Sequence, residues 1–210
     1  MTKPNIAERI VKPEQCALVF GIPLCRKDFF NDQTHLNKSF AKKYHWSWDK
    51  YVKELIYDFD LIKPRLIEKG VVIYPGTITF EKFGTLFSAG FDVIILFSHW
   101  ERDAIEFYDG LVDYRAIVET IPESFDGFLD LSVCSPYSLV IELRRDRQKG
   151  LIRQIKRQKE KRDEELIPCY WLAFYLALFT HLKACDRNYL QAVEDVIAGF
   201  RKKMKRKSYT

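Results

Sequence analysis

The chain has 210 residues and a mass of 24.9 kDa, which suits one domain, or one domain with an appendage. Its 47% hydrophobic and 15% aromatic content is enough for a sizeable core and excludes a disordered chain. The net charge of +5 is uneven: residues 144–162 carry ten Lys/Arg against two acids, and Arg201 to Lys207 adds six more positive charges, leaving the rest at −9.

In chain order, residues 1–15 are polar, and Cys16-Ala-Leu-Val-Phe-Gly21 predicts a first strand stopped by Gly21 and Pro23. Residues 25–46 have no clear period. Trp48, Tyr51, Val52, Leu55, Ile56 and Phe59 recur at three- and four-residue spacing, so a helix is expected, capped by Ser47 and ended or restarted at Pro64. Gly70-Val-Val-Ile-Tyr-Pro75 predicts a second strand, Thr79 to Ser88 a helix closed by Gly90, and Phe91 to Ser98 a third strand running into His99. Asp109-Gly110 between Ala104–Tyr108 and Leu111-Val112 signals a hairpin; a helix over Tyr114 to Ile121 follows, stopped by Pro122. Phe125 to Val133 predicts a strand running into Cys134, then a helix over about 137–147. Leu151 to Ile155 suits a short strand, and Lys156 to Glu165 a charged loop or helix. Two helices close the chain, at about 168–184 and 187–204, the first apolar nearly all round and the second capped by Asp186.

The strands ending at His99 and Cys134 are apolar on both faces, as in a parallel sheet covered by helices on both sides. In such sheets working groups collect past the carboxyl ends of the strands. If these two strands are neighbours, an imidazole meets a thiol there, the minimum equipment for a thiolate nucleophile. The backbone amides of Trp100 and Cys134 are the candidate donors to an oxyanion. The bland alternative is a buried small hydrophobe at 134 and a loop-bonded histidine at 99. Cys25, in a loop, is the rival thiol.

The order strand–His, hairpin, helix, strand–Cys resembles the caspase-like cysteine peptidases, in particular their CHAT branch, which includes separase-like proteases. The resemblance rests on Phe91–His99, on Ile105-Glu-Phe-Tyr-Asp-Gly-Leu111, on Leu129-Asp-Leu-Ser-Val-Cys134, and on Tyr170 to Tyr175 with Leu190 to Val193. It covers roughly residues 65–200. It implies an α/β fold, a three-layer caspase-like sandwich with a mostly parallel central sheet flanked by helices. It implies His99 and Cys134 as the catalytic dyad of a thiol protease, acting on a protein substrate or switched by an activating protein partner. Departures are Trp100, where many members have glycine, and Pro136 after the cysteine. Two residues before the cysteine, the position lining the substrate pocket is Ser132, which does not support cutting after Arg or Lys. Asp130 lies on the same face by alternation, and is either an acid deep in that pocket or a buried structural carboxylate.

Two other readings compete. One is a catalytically silent module of the same fold that binds a protein. The other is a nucleic-acid-associated protein using the basic arm at about 144–162 and the tail 201–210, segments that equally suit a solvated helix face and a frayed end. Tyr44-His-Trp-Ser-Trp48 with Tyr51 suits buried helix anchors better than base stacking. His181 suits a satisfied core residue. The nine glycines form no phosphate loop, and the four histidines and five cysteines show no zinc or iron–sulfur spacing, so no metal or other cofactor is expected. The chain opens without a signal-peptide pattern, its odd cysteine count suits free thiols, and its nearest candidate span, Leu166 to Phe179, contains Pro168 and falls short of about 20 apolar residues. These features predict a cytoplasmic protein with no membrane span.

Overall fold

The computed structural model describes residues 8–31, 47–101, 103–132, 151–154 and 167–207. Five strands, β1 (Cys16–Phe20), β2 (Val72–Thr77), β3 (Val93–Phe97), β7 (Phe128–Ser132) and β8 (Leu151–Gln154), form one sheet. Their order is β2-β1-β3-β7-β8 and every pairing is parallel. All five residues of β1, β3 and β7 are buried, because a central parallel strand has helices over both faces.

The two faces hold separate cores. Leu18, Phe20, Val93, Ile95, Phe97 and Phe128 face one, packed by the helical segment α2 (Trp48–Tyr51), π-turn (Val52–Ile56) and α3 (Tyr57–Lys69), and by α6 (Ile167–Ala184) and α7 (Tyr189–Lys207). Val19, Ile94, Leu96, Leu129 and Leu131 face the other, packed by α4 (Phe80–Leu86) and α5 (Tyr114–Thr120). A four-residue helix, α1 (Arg26–Phe29), brings Phe29 against Trp48 and Tyr51, with ring centroids 5.5 and 5.0 Å away. Within the aromatic cluster, Tyr51 is therefore a core anchor, while residues 44–46 lie outside the described set.

Several boundaries differ from the sequence reading. Pro64 neither ends nor restarts a helix: α3 runs through it to Lys69. Pro64 is solvent-exposed, so the carbonyl it leaves without a helical donor can turn to water. Gly70 belongs to that helix rather than to β2; its φ of 102° makes it the left-handed C-cap. β2 continues through Pro75 to Thr77, which an edge strand tolerates. The cap of α7 is not Asp186: the Asn188 side chain accepts from the Gln191 amide at 2.9 Å, and Asp186 pairs with Lys12 instead. His181 is half-exposed, 3.1 Å from Asp195 across the α6–α7 pair. The helix expected at 137–147 and most of the basic arm lie outside the described residues; Leu151–Gln154 within the arm is the edge strand β8.

The amino ends of β3 and β7 are fastened together. Arg9 donates to Asp92, just before β3, and to Asp126, just before β7, the latter at 2.9 Å. At the carboxyl end, a three-stranded antiparallel sheet of β4 (Trp100–Glu101), β5 (Ala104–Phe107) and β6 (Gly110–Asp113) sits against the end of β1. A Cβ on Gly21 would lie 2.1 Å from the Glu106 carbonyl oxygen and 2.5 Å from Ser98 Oγ, so only glycine admits this approach. Gly21→Ala is therefore expected to cost about 1–3 kcal/mol in a urea melt through overpacking. Gly199→Ala, exposed in α7 with open space around it, should gain roughly 0.5–1 kcal/mol through helix propensity. An unshifted Gly21→Ala midpoint would contradict the packing described.

Candidate functional site

β3 and β7 are neighbours, parallel and in register, with Val93 opposite Phe128 and Phe97 opposite Ser132. The pairing continues past the strand end, where the Ser98 amide donates to the Ser132 carbonyl at 3.3 Å. His99 follows at once and is half-buried. Phe97 faces the α6–α7 core, and Ser98 turns the other way to donate its hydroxyl to the Glu106 carbonyl at 2.6 Å.

Cys134 lies outside the described residues, as do Val133, Ser135 and Pro136. Its covalent tether is described: Ser132, two residues earlier, is the register partner of Phe97, itself two residues before His99. Ser132 is only 6% exposed, and its hydroxyl has no hydrogen-bond partner among the described residues. Asp130 is fully buried, and its carboxylate accepts from the Tyr189 hydroxyl at 2.7 Å. That bond engages one of its two carboxylate oxygens, and a buried polar group costs free energy unless it is hydrogen-bonded.

The other described thiols differ in kind. Burial pushes the Cys16 thiol well up, with the charges of Asp92, Glu14 and Asp130 acting in the same direction, so it stays protonated and inert. Cys25 is exposed beside α1, and Cys185 lies between α6 and α7. No described histidine other than His99 stands at the carboxyl edge of the large sheet.

The hairpin fixes the turn after His99. β4 has no counterpart among the expected elements; it pairs with β5 through Trp100 opposite Ile105 and Glu101 opposite Ala104. The turn between them uses Asp103 at φ 63°, a conformation aspartate tolerates. The Glu106 amide donates to the His99 carbonyl at 3.0 Å. In an antiparallel ladder this makes Trp100–Ile105 a pair without mutual hydrogen bonds, so the Trp100 N–H faces away from β5. It is thereby directed away from the ladder, as an oxyanion donor must be.

The β5–β6 turn is displaced by one residue from the expected Asp109-Gly110. Phe107 pairs with Gly110, so Tyr108 and Asp109 form the loop and Gly110, at φ 125°, takes the reversal. Two contacts set this register. Asp109 accepts from the Phe80 amide at the start of α4 at 3.0 Å, and Phe107 lies 5.3 Å from the Phe83 ring.

Sequence reasoning passed over Glu106. It is fully buried, on the face of β5 opposite to Ile105 and Phe107. The signal was available: an acid between two apolar residues of a strand points away from the side they bury. Among the described residues no group of three or more His, Cys, Asp or Glu lies together in a way that could hold a metal ion. No helix of the described residues is long and apolar enough to cross a membrane.

No protein-family model matches the chain, and no curated protein matches it in sequence.

The Asp130–Tyr189 bond joins the strand under the site to α7. Tyr189→Phe should destabilise the fold by about 1.5–3 kcal/mol, the range for a hydrogen bond to a charged group. Chemical denaturation measures this, and a loss below about 0.5 kcal/mol would show that the hydroxyl is dispensable.

Proposed function

We propose that the protein is a cysteine peptidase of the caspase-like group, with a CHAT-like fold and a His99–Cys134 dyad at the carboxyl edge of the sheet. The observation that supports it most is the register of β3 on β7, which brings the chain to Ser132 beside Phe97. Two peptide units reach at most about 7 Å, so Cys134 is tethered close to the segment carrying His99. The five-stranded parallel sheet with helices on both faces is compatible with a three-layer sandwich.

In this reading His99 takes the Cys134 proton, and the thiolate attacks the carbonyl carbon of the scissile peptide bond. The tetrahedral oxyanion accepts hydrogen bonds from the amides of Trp100 and Cys134. His99 then passes its proton to the leaving amine as the C–N bond breaks, leaving a thioester. Water, deprotonated by the same imidazole, hydrolyses that thioester and regenerates the thiol. The pocket for the residue before the cut bond has Ser132 at its wall, an uncharged side chain, so a basic residue gains no ion pair there. Asp130, below it, is already engaged by Tyr189.

Tryptophan at position 100, where many members of the caspase-like group have glycine, favours a second reading: the same module without catalysis, acting by binding a protein. One measurement separates the two. Brief treatment with a low dose of iodoacetamide at about pH 6.5, followed by mass-spectrometric mapping of all five cysteines, should label Cys134 at least about tenfold faster than exposed Cys25. His99→Ala should abolish the difference while leaving Cys25 unchanged. Cys134 no faster than Cys25, or indifferent to His99, would remove the dyad and leave the binding module.

A further inference from the structure

The outward face of α3 is apolar where a surface helix is ordinarily polar. Phe59 and Leu66 are buried and Ile62 packs beside them, so this stripe of the helix faces the core. Opposite to it stand Tyr57, Leu61, Pro64 and Glu68, at intervals of four, three and four residues, the spacing that lines one side of a helix. Tyr57 is 61% exposed and Leu61 55%, and Pro64 is exposed as well. Scattered exposed apolar residues are ordinary; a row of three on one helix face is a patch with a direction.

The charges beside this row divide along the helix. Asp58 and Asp60 lie in the first half, and Lys63, Arg65 and Lys69 lie in the second with Glu68, so residues 57–62 sum to −2 and 63–69 to +2. A second copy laid antiparallel on the same face is therefore complementary in charge. With a two-fold axis between residues 62 and 63, Leu61 meets Pro64 of the copy, Tyr57 meets its Glu68, and on one flank Asp58 meets its Arg65, each contact made twice. The Tyr57 hydroxyl then donates to the Glu68 carboxylate, which answers the one acid in the row. Asp58 also interacts within its own chain, and the two oxygens of a carboxylate accept from more than one donor. Antiparallel helices set opposite dipole ends side by side. A parallel copy would instead stack Glu68 on Glu68 and acidic half on acidic half. The other flank, with Asp60 and Ile67, stays open to water, and there the Asp60 carbonyl that Pro64 leaves without a helical donor remains solvated.

We propose that the outer face of α3 is a self-association surface, and that its occupant is a second copy of this chain, docked antiparallel over Tyr57, Leu61 and Pro64 with Asp58 against Arg65. A helix of thirteen residues covers less than a standard interface, so the pair is weak and reversible, forming at about 10–500 µM. It uses neither His99 nor Cys134 and stands apart from the peptidase reading.

The test is sedimentation velocity of the full chain from about 10 to 500 µM, in about 50 and 500 mM NaCl. A monomer–dimer equilibrium is expected, at least about threefold weaker in the higher salt. Leu61→Glu should abolish it, and Arg65→Glu and Asp58→Lys should each weaken it at least about tenfold. Mixed in equal amounts, these two charge variants should pair with nearly the strength of the unchanged chain, because Lys at 58 then meets Glu at 65 and Arg65 meets Asp58. Asp60→Lys, on the open flank, should change the association less than about threefold. A chain that stays monomeric to about 500 µM, a dimer indifferent to Leu61→Glu, Arg65→Glu or salt, or charge variants that do not recover on mixing overturns the proposal. Circular dichroism checks that each variant is folded; if Asp58→Lys is not, Leu61→Glu, Arg65→Glu and the salt dependence decide.

Discussion

The register of β3 against β7 is the constraint on which the rest of the molecule depends. Both strands are buried on both faces, and side chains alternate with a period of two. A slip by one residue would exchange the contents of the two cores, moving Asp130 out of reach of Tyr189 and into the apolar layer beneath α4 and α5. Register is pinned at both ends. Arg9 bridges Asp92 and Asp126 before the strands begin, and the Ser98–Ser132 hydrogen bond carries the pairing past their ends.

Above the sheet, the hairpin occupies the point where strand order reverses, between β1 and β3. Ligands of open α/β sheets usually enter there. Here Gly21 lies against the Glu106 backbone and Ser98 bonds it, so the crevice is filled by the protein itself. The carboxyl edge of β3 and β7 is where the described chain leads His99 and the segment toward Cys134. The same hairpin sets both the direction of the Trp100 amide and the place of the Glu106 carboxylate. Packing and site geometry are thus fixed by one set of contacts, which Phe107 on Phe83 and Asp109 on the first turn of α4 hold in place.

The strands and most helices are legible in the sequence because their apolar periods are strong, as in Cys16 to Phe20, Val93 to Phe97 and Leu190 to Phe200. The adjacency of β3 and β7 is not legible, since strand order is decided by how helices cover the faces rather than by any local pattern. Boundaries failed where tertiary contacts outweigh local preference. Pro64 remains in a helix because its face meets water. Asp186 gives up the cap because Lys12, 174 residues away, pairs with it. The hairpin turn moves by one residue because Asp109 is drawn to α4. Within the candidate site, His99 is recognisable from its place after an apolar strand. Glu106 stands out only once the hairpin register is known, as the buried acid on the face of β5 opposite to Ile105 and Phe107.

The central claim, an activated thiol at 134 created by His99, is tested most directly by titrating thiolate absorbance near 240 nm. The difference between the native protein and Cys134→Ser isolates the one sulfur. The account predicts that Cys134 is ionised well below the ordinary thiol value of about 8.5, and that His99→Ala returns it to that value. A Cys134 that titrates at about 8.5 whether or not His99 is present would contradict it.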